Sequence, residues 1–124
     1  METSVVELHP PNSVLVVWDK WEVVAPTLAR GSTVMSTSTS LAIITSPEEL
    51  VSVTFGPAGA DDVVRGLDLV FDGSVEVPSG CLVLTTVALQ ELAQADVQER
   101  ARLRIFVDDR HEPTRVLIEV LGRE

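Results

Sequence analysis

Apolar and polar residues alternate at every second position in several segments of this chain, and turn residues separate them. Val51, Val53 and Phe55 alternate with Ser52 and Thr54. Leu67, Leu69 and Phe71 share one face, with Asp68 and Asp72 on the other. Leu103, Ile105 and Val107 face one way, with Arg102, Arg104 and Phe106 opposite, and Val116, Ile118 and Val120 line one side of the last segment. A period of two is the mark of a half-buried strand. Short apolar runs without that alternation put further strands at Val14–Trp18, around Leu41, Ile43 and Ile44, and from Cys81 to Val87, with a strand piece from Trp21 to Ala25 ended by Pro26. Pro10 and Pro11 predict an irregular, extended entry over residues 1–12. The Ser/Thr-rich stretch Gly31 to Ser40 reads as a polar edge strand or a loop.

Turn chemistry separates these segments. Ser46-Pro47-Glu48-Glu49 reads as a turn, Gly56 to Asp62 as a loop, and Asp72-Gly73 as a hairpin turn whose return strand, Ser74 to Val77, closes at Pro78-Ser79-Gly80. Asp108 to Pro113 joins the last two strands into a hairpin. Only Ala88 to Ala95 changes character: it is rich in helix formers, and Leu89 and Leu92 are three apart. The expected fold is all-β, an antiparallel β-sandwich of about eight or nine strands, with one short helix near residues 88–95, in a single domain spanning 1–124.

Composition supports that reading. The chain has 124 residues, 45% of them apolar, with 21 Val, 14 Leu, four Ile, ten Thr and no Tyr. That length buries a real core without metal or disulfide, and side chains branched at Cβ suit a pleated surface. Cys81 is the lone cysteine, so an internal disulfide is excluded. The sequence shows neither a secretion signal nor an 18-residue apolar stretch. The expectation is a cytoplasmic protein without a membrane partner.

Charge is unevenly distributed. Residues 1–99 carry 14 Asp/Glu against Lys20, Arg30 and Arg65, a balance of −11; residues 100–124 carry five acids and six arginines. The net charge of −10 argues against nucleic acid as a direct ligand, because phosphate binding needs clustered Lys and Arg. It suits a protein that docks on a basic partner.

No catalytic pattern emerges. His9 and His111 are the only histidines, no G-x-S-x-G elbow is present, and Cys81 sits in an apolar strand where a buried, structural thiol is expected. The expectation is a non-enzyme without cofactor. Asp108, Asp109, His111 and Glu112 form the densest titratable cluster; they would suit a divalent metal or simply a solvated hairpin tip. Arg100, Arg102 and Arg104 share one strand face, where acids of a neighbouring strand would pair with them. Asp61, Asp62, Asp68 and Asp72 read either as a solvated loop and polar strand face or, with Glu76, as an acidic docking patch. Trp18 and Trp21, three apart, point to opposite faces of a regular strand; one exposed would be a binding anchor.

The order of features resembles the small β-sandwich family of competence protein J, the inhibitor of the DNA-entry nuclease, and related bacterial immunity-type proteins. The resemblance lies in the early strand with paired aromatics, Val14 to Trp21, in Leu67 to Val77 followed by Pro78-Ser79-Gly80, and in the closing hairpin Arg102 to Leu121. It covers about two-thirds of the chain as pattern and carries over no individual binding residue. It implies a non-enzymatic inhibitor whose acids cover a basic nuclease cleft. Two other classes fit the same residues: a structural subunit whose Val/Thr-rich strands pair into a homo-oligomer, and a small-molecule or metal-binding β domain.

Overall fold

The strand segments pair into two sheets. A computed structural model describes residues 3–21, 32–57 and 66–121. Among these residues lie ten strands: β1 (Ser4–Leu8), β2 (Val14–Asp19), β3 (Val34–Ser36), β4 (Ser40–Ile44), β5 (Val51–Pro57), β6 (Asp68–Glu76), β7 (Cys81–Thr86), β8 (Glu91–Asp96), β9 (Arg100–Val107) and β10 (Arg115–Leu121). The first sheet has the order β1-β5-β10-β9-β6 and the second β3-β4-β2-β7-β8. Neighbours are antiparallel except β5 and β10, which run parallel. The all-β, sandwich-like reading of the sequence agrees with this architecture.

The inward positions of both sheets meet in one core. Leu15, Val17, Leu41, Ile43, Leu82 and Leu84 come from the second sheet; Val53, Phe55, Leu103, Ile105 and Ile118 come from the first. Each such side chain contributes about 1.5–3 kcal/mol by leaving water. The second sheet is also closed on its outer face, where Val14, Val16, Trp18, Met35, Ala42 and Val83 form a second buried cluster. All six residues of β2 are therefore buried, which explains its unbroken apolar run.

Loops tie the two ends of the sandwich together. At one end the Ser46 N–H donates to the Pro113 carbonyl at 2.9 Å, and that of Thr45 to Ser13 at 2.8 Å. At the other, the Glu76 N–H donates to Ser38 and the Val77 N–H to Glu99, both at 2.7 Å, while Val97 donates to Gly80 at 2.8 Å.

Three expectations need correction. Residues 88–95 do not form a helix: Thr86 to Gln90 is a hairpin loop, with Leu89 at φ 64, and β8 then pairs with β7. Ala93 and Ala95 enter the core while Gln94 and Asp96 face out, so burial at period two overrides the helix preference of Ala, Gln and Glu. Asp72-Gly73 is not a turn, since β6 runs straight through it. The Phe71 ring lies so close over Gly73 that a Cβ there would sit 2.8 Å from Phe71 Cζ; the glycine serves close packing. The irregular entry contains β1, paired antiparallel with β5. The Ser/Thr-rich stretch supplies the edge strand β3. The strand piece at 21–25 lies, beyond Trp21, outside the described residues.

Candidate functional site

β9 runs between β6 and β10, so its outward arginines meet acids from both sides. Arg102 donates to Asp72 through Nε and Nη2, each at 3.1 Å. Arg104 reaches Glu119 on β10, with Nη2 at 2.9 Å and Nε at 3.0 Å. Glu119 is only 3% exposed, so Arg104 answers a charge that burial would otherwise make costly. Arg100 stands opposite Glu76 in the register. At the far end of β6, Arg110 Nε lies 3.7 Å from Asp68. The arginine row thus faces carboxylates of the adjacent strands.

This places the acids singled out in the sequence. Asp68, Asp72 and Glu76 lie exposed along β6, the first two in ion pairs with Arg110 and Arg102 and the third opposite Arg100 in the register. The Arg102 hydrogen bond holds the Asp72 carboxyl below the ordinary carboxylate range; slight burial opposes this and the charges of Arg102 and Arg104 add to it. Asp61 and Asp62 lie outside the described residues.

The titratable hairpin tip is organised by its own backbone. Asp108 accepts from Thr114 N at 2.9 Å, Thr114 Oγ1 at 2.6 Å and Arg115 N at 3.0 Å. Burial raises its pKa, but these hydrogen bonds outweigh that and leave it lowered. Asp109 accepts from the His111 N–H at 2.8 Å and the Glu112 N–H at 3.3 Å. Among the described residues no group of three or more His, Cys, Asp or Glu is placed to hold a metal ion. Cys81 is half-buried rather than buried. Its thiol lies 3.8 Å from Gln94 Oε1. Desolvation pushes its pKa up, with Lys20 opposing and Asp96, Glu91 and Asp19 adding to the rise, so the reactive thiolate is disfavoured.

The opposite end of the sandwich holds a different arrangement. Trp18 faces the buried layer at 5% exposure, whereas Trp21 is 74% exposed. Trp21 is fixed at its backbone: its N–H donates to Asp19 Oδ1 at 2.8 Å. The same carboxylate accepts, through Oδ2, the Ser79 N–H and Ser79 Oγ, each at 2.8 Å. Asp19 is wholly buried at the end of β2. Lys20 donates its N–H to the Cys81 carbonyl at 2.9 Å and sets its ammonium 5.6 Å from the Trp21 ring centroid, within cation–π range. Beside this turn opens a cleft of about 1570 Å³ lined by Pro78, Ser79, Gly80, Asp96, Glu99 and Arg100, among others. Gly80 makes the turn possible at φ 77.

Sequence reasoning named Trp21 but missed Asp19 and Ser79. The one available signal was a carboxylate closing the otherwise apolar run Val14 to Trp18, a residue that is almost never fully buried unless partnered.

No protein-family model matches the chain, and no curated protein matches it. Among solved structures, it is similar to the crystal structure of ComJ, inhibitor of the DNA degrading activity of NucA, from Bacillus subtilis. The superposition has a TM-score of 0.71, covers 97% of this chain and 96% of that one, and matches 11% of residues identically. The two proteins share a fold across nearly their whole length.

Proposed function

We propose that this chain is a non-enzymatic protein-binding module of the inhibitor or immunity type, acting in the cytoplasm on a basic partner such as a nuclease. The fold shared end to end with the nuclease inhibitor ComJ carries this reading. The net charge of −10 supports it, because an anionic surface steers a cationic enzyme and repels its nucleic-acid substrate. Contact would run through Trp21 and the acidic residues Asp61, Asp62, Asp68, Asp72 and Glu76. Arg110 and Arg102 already oppose Asp68 and Asp72, so these two acids set orientation more than affinity.

The test is an inhibition assay with each purified basic nuclease of the organism that makes the chain. One of them should lose DNA-degrading activity at a one-to-one ratio. Association should slow between about 50 mM and about 0.5 M salt, as screening requires. Full activity of every nuclease at saturating protein would overturn the reading.

A further inference from the structure

We propose that the end of the sandwich remote from Trp21 is a docking surface, with Leu50, Val87 and Leu89 as its apolar contacts. The partner is the basic nuclease of the reading above, presenting an apolar hollow edged by Lys and Arg side chains. The inference rests on that reading and deepens it, by carrying the contact past the acids of β6 onto the loops.

Four loops meet at this end. β2 starts here and finishes at Asp19, just before Trp21. Near its start, Leu15 faces Ile43 on one side and Thr86 on the other. The segment after β4 and the β7–β8 loop therefore flank Pro11–Ser13. The Thr45 N–H donates to the Ser13 carbonyl and the Ser46 N–H to that of Pro113, which brings in the β9–β10 tip.

Apolar exposure gathers on these loops. Among the described residues six large apolar side chains are exposed, and three of them, Leu50, Val87 and Leu89, lie here. Neighbouring apolar side chains left in water mark an interaction surface, whereas scattered single ones do not. Leu89 stands out at 63% exposure. Its φ of 64 is one that leucine rarely adopts, and the loop holds it there. The Leu89 N–H donates to the Thr86 carbonyl at 3.0 Å, and Thr86 Oγ1 accepts the N–H of Ala88 at 3.3 Å and of Gln90 at 3.4 Å. A side chain ordered before contact loses little freedom on docking.

Charge identifies the partner. Five exposed carboxylates, Glu48, Glu49, Asp108, Asp109 and Glu112, stand on these loops against two arginines, Arg110 and Arg115. Arg110 is turned aside: its Nε lies 3.7 Å from Asp68, and its Nη2 donates to the Leu69 carbonyl at 3.1 Å. Glu48, Glu49 and Glu112 form no ion pair among the described residues. An apolar patch with this acidic surround complements a cationic protein. Asp68 faces Val107 in the register, next to the tip, so the acids of β6 run on into this end.

The complex with the inhibited nuclease tests the proposal. Leu89→Gly removes the side chain and suits the positive φ, so the melting temperature should not fall, while affinity should drop by about 10-fold or more. Paired charge reversal, Glu48→Lys with Glu49→Lys, should slow association by about 10-fold and flatten its salt dependence. Gln98→Ala, in the cleft at the other end, should stay within about twofold of wild type. If the nuclease is inhibited but Leu89→Gly or the paired reversal binds as wild type, this inference fails and the inhibitor reading stands. If no nuclease is inhibited, both fall.

Discussion

On the outer face of the first sheet, Arg102 and Arg104 meet Asp72 and Glu119. On the outer face of the second, Val16, Trp18 and Val83 lie in an apolar layer shut off from water. The two sheets have the same strand count and share one core, so the difference lies in what each outer face is for. Apolar burial on the second face contributes stability in proportion to area. The ion pairs of the first face contribute less, because desolvation offsets much of the Coulomb energy. Their effect is on the distribution of charge. The arginine-rich last fifth of the chain folds between acids of its own and of the preceding part, so much of its positive charge is answered internally. The acidic excess is left for the rest of the surface.

Replacing Trp18 by Ala tests the apolar side of this comparison and should have the largest effect. The ring is 5% exposed and packs among Val14, Val16, Met35 and Val83. The expected loss is about 3–5 kcal/mol in chemical denaturation, as for other buried aromatics. A loss below about 1 kcal/mol would mean that the layer is loosely packed and that the contrast between the faces is false.

The same contrast explains what could be read from the chain. Strands whose inward residues are large, such as Val51–Pro57 and Arg100–Val107, announce themselves by alternation. β8 did not, because its inward residues are Ala93 and Ala95, which are also the best helix formers. Asp72-Gly73 carried a turn signal that the Phe71 ring turned to packing. The parallel pairing of β5 with β10 joins segments far apart in sequence and leaves no local trace. The candidate site was half legible. Trp21 stood out by residue type, whereas Asp19 gains its meaning from Ser79, a partner that only the fold brings near.

An intermediate effect is expected where the charged face is buried. Arg104→Ala leaves Glu119, 3% exposed, without its guanidinium. We expect a loss of about 2–3 kcal/mol, below the usual figure for breaking a buried pair because Arg104 itself is 37% exposed. The double variant Arg104→Met with Glu119→Leu should recover most of that loss, since an apolar pair of similar volume removes the desolvation cost. Denaturation midpoints of the three proteins decide this. A double variant as weak as the single one would show that the pair stabilises the sheet by itself and would blur the line between the two faces.

The smallest effect belongs to the exposed pair. The Arg102 hydrogen bond keeps the folded Asp72 carboxyl below its ordinary value, so its contribution is complete above the unfolded pKa of about 4 and is lost as pH falls through the lower, folded value. Asp72→Asn should therefore lower the melting temperature slightly at neutral pH, and the gap to wild type should close as the pH drops below about 4. It should also shrink in about 1 M salt, where exposed charges are screened within a few ångströms. A gap that stays constant across acid and salt would assign Asp72 a packing role and place it with Trp18 rather than with the ion pairs. A gap that closes would keep Asp72 on the electrostatic side, where its pairing with Arg102 fixes the pattern of charge that an approaching partner meets.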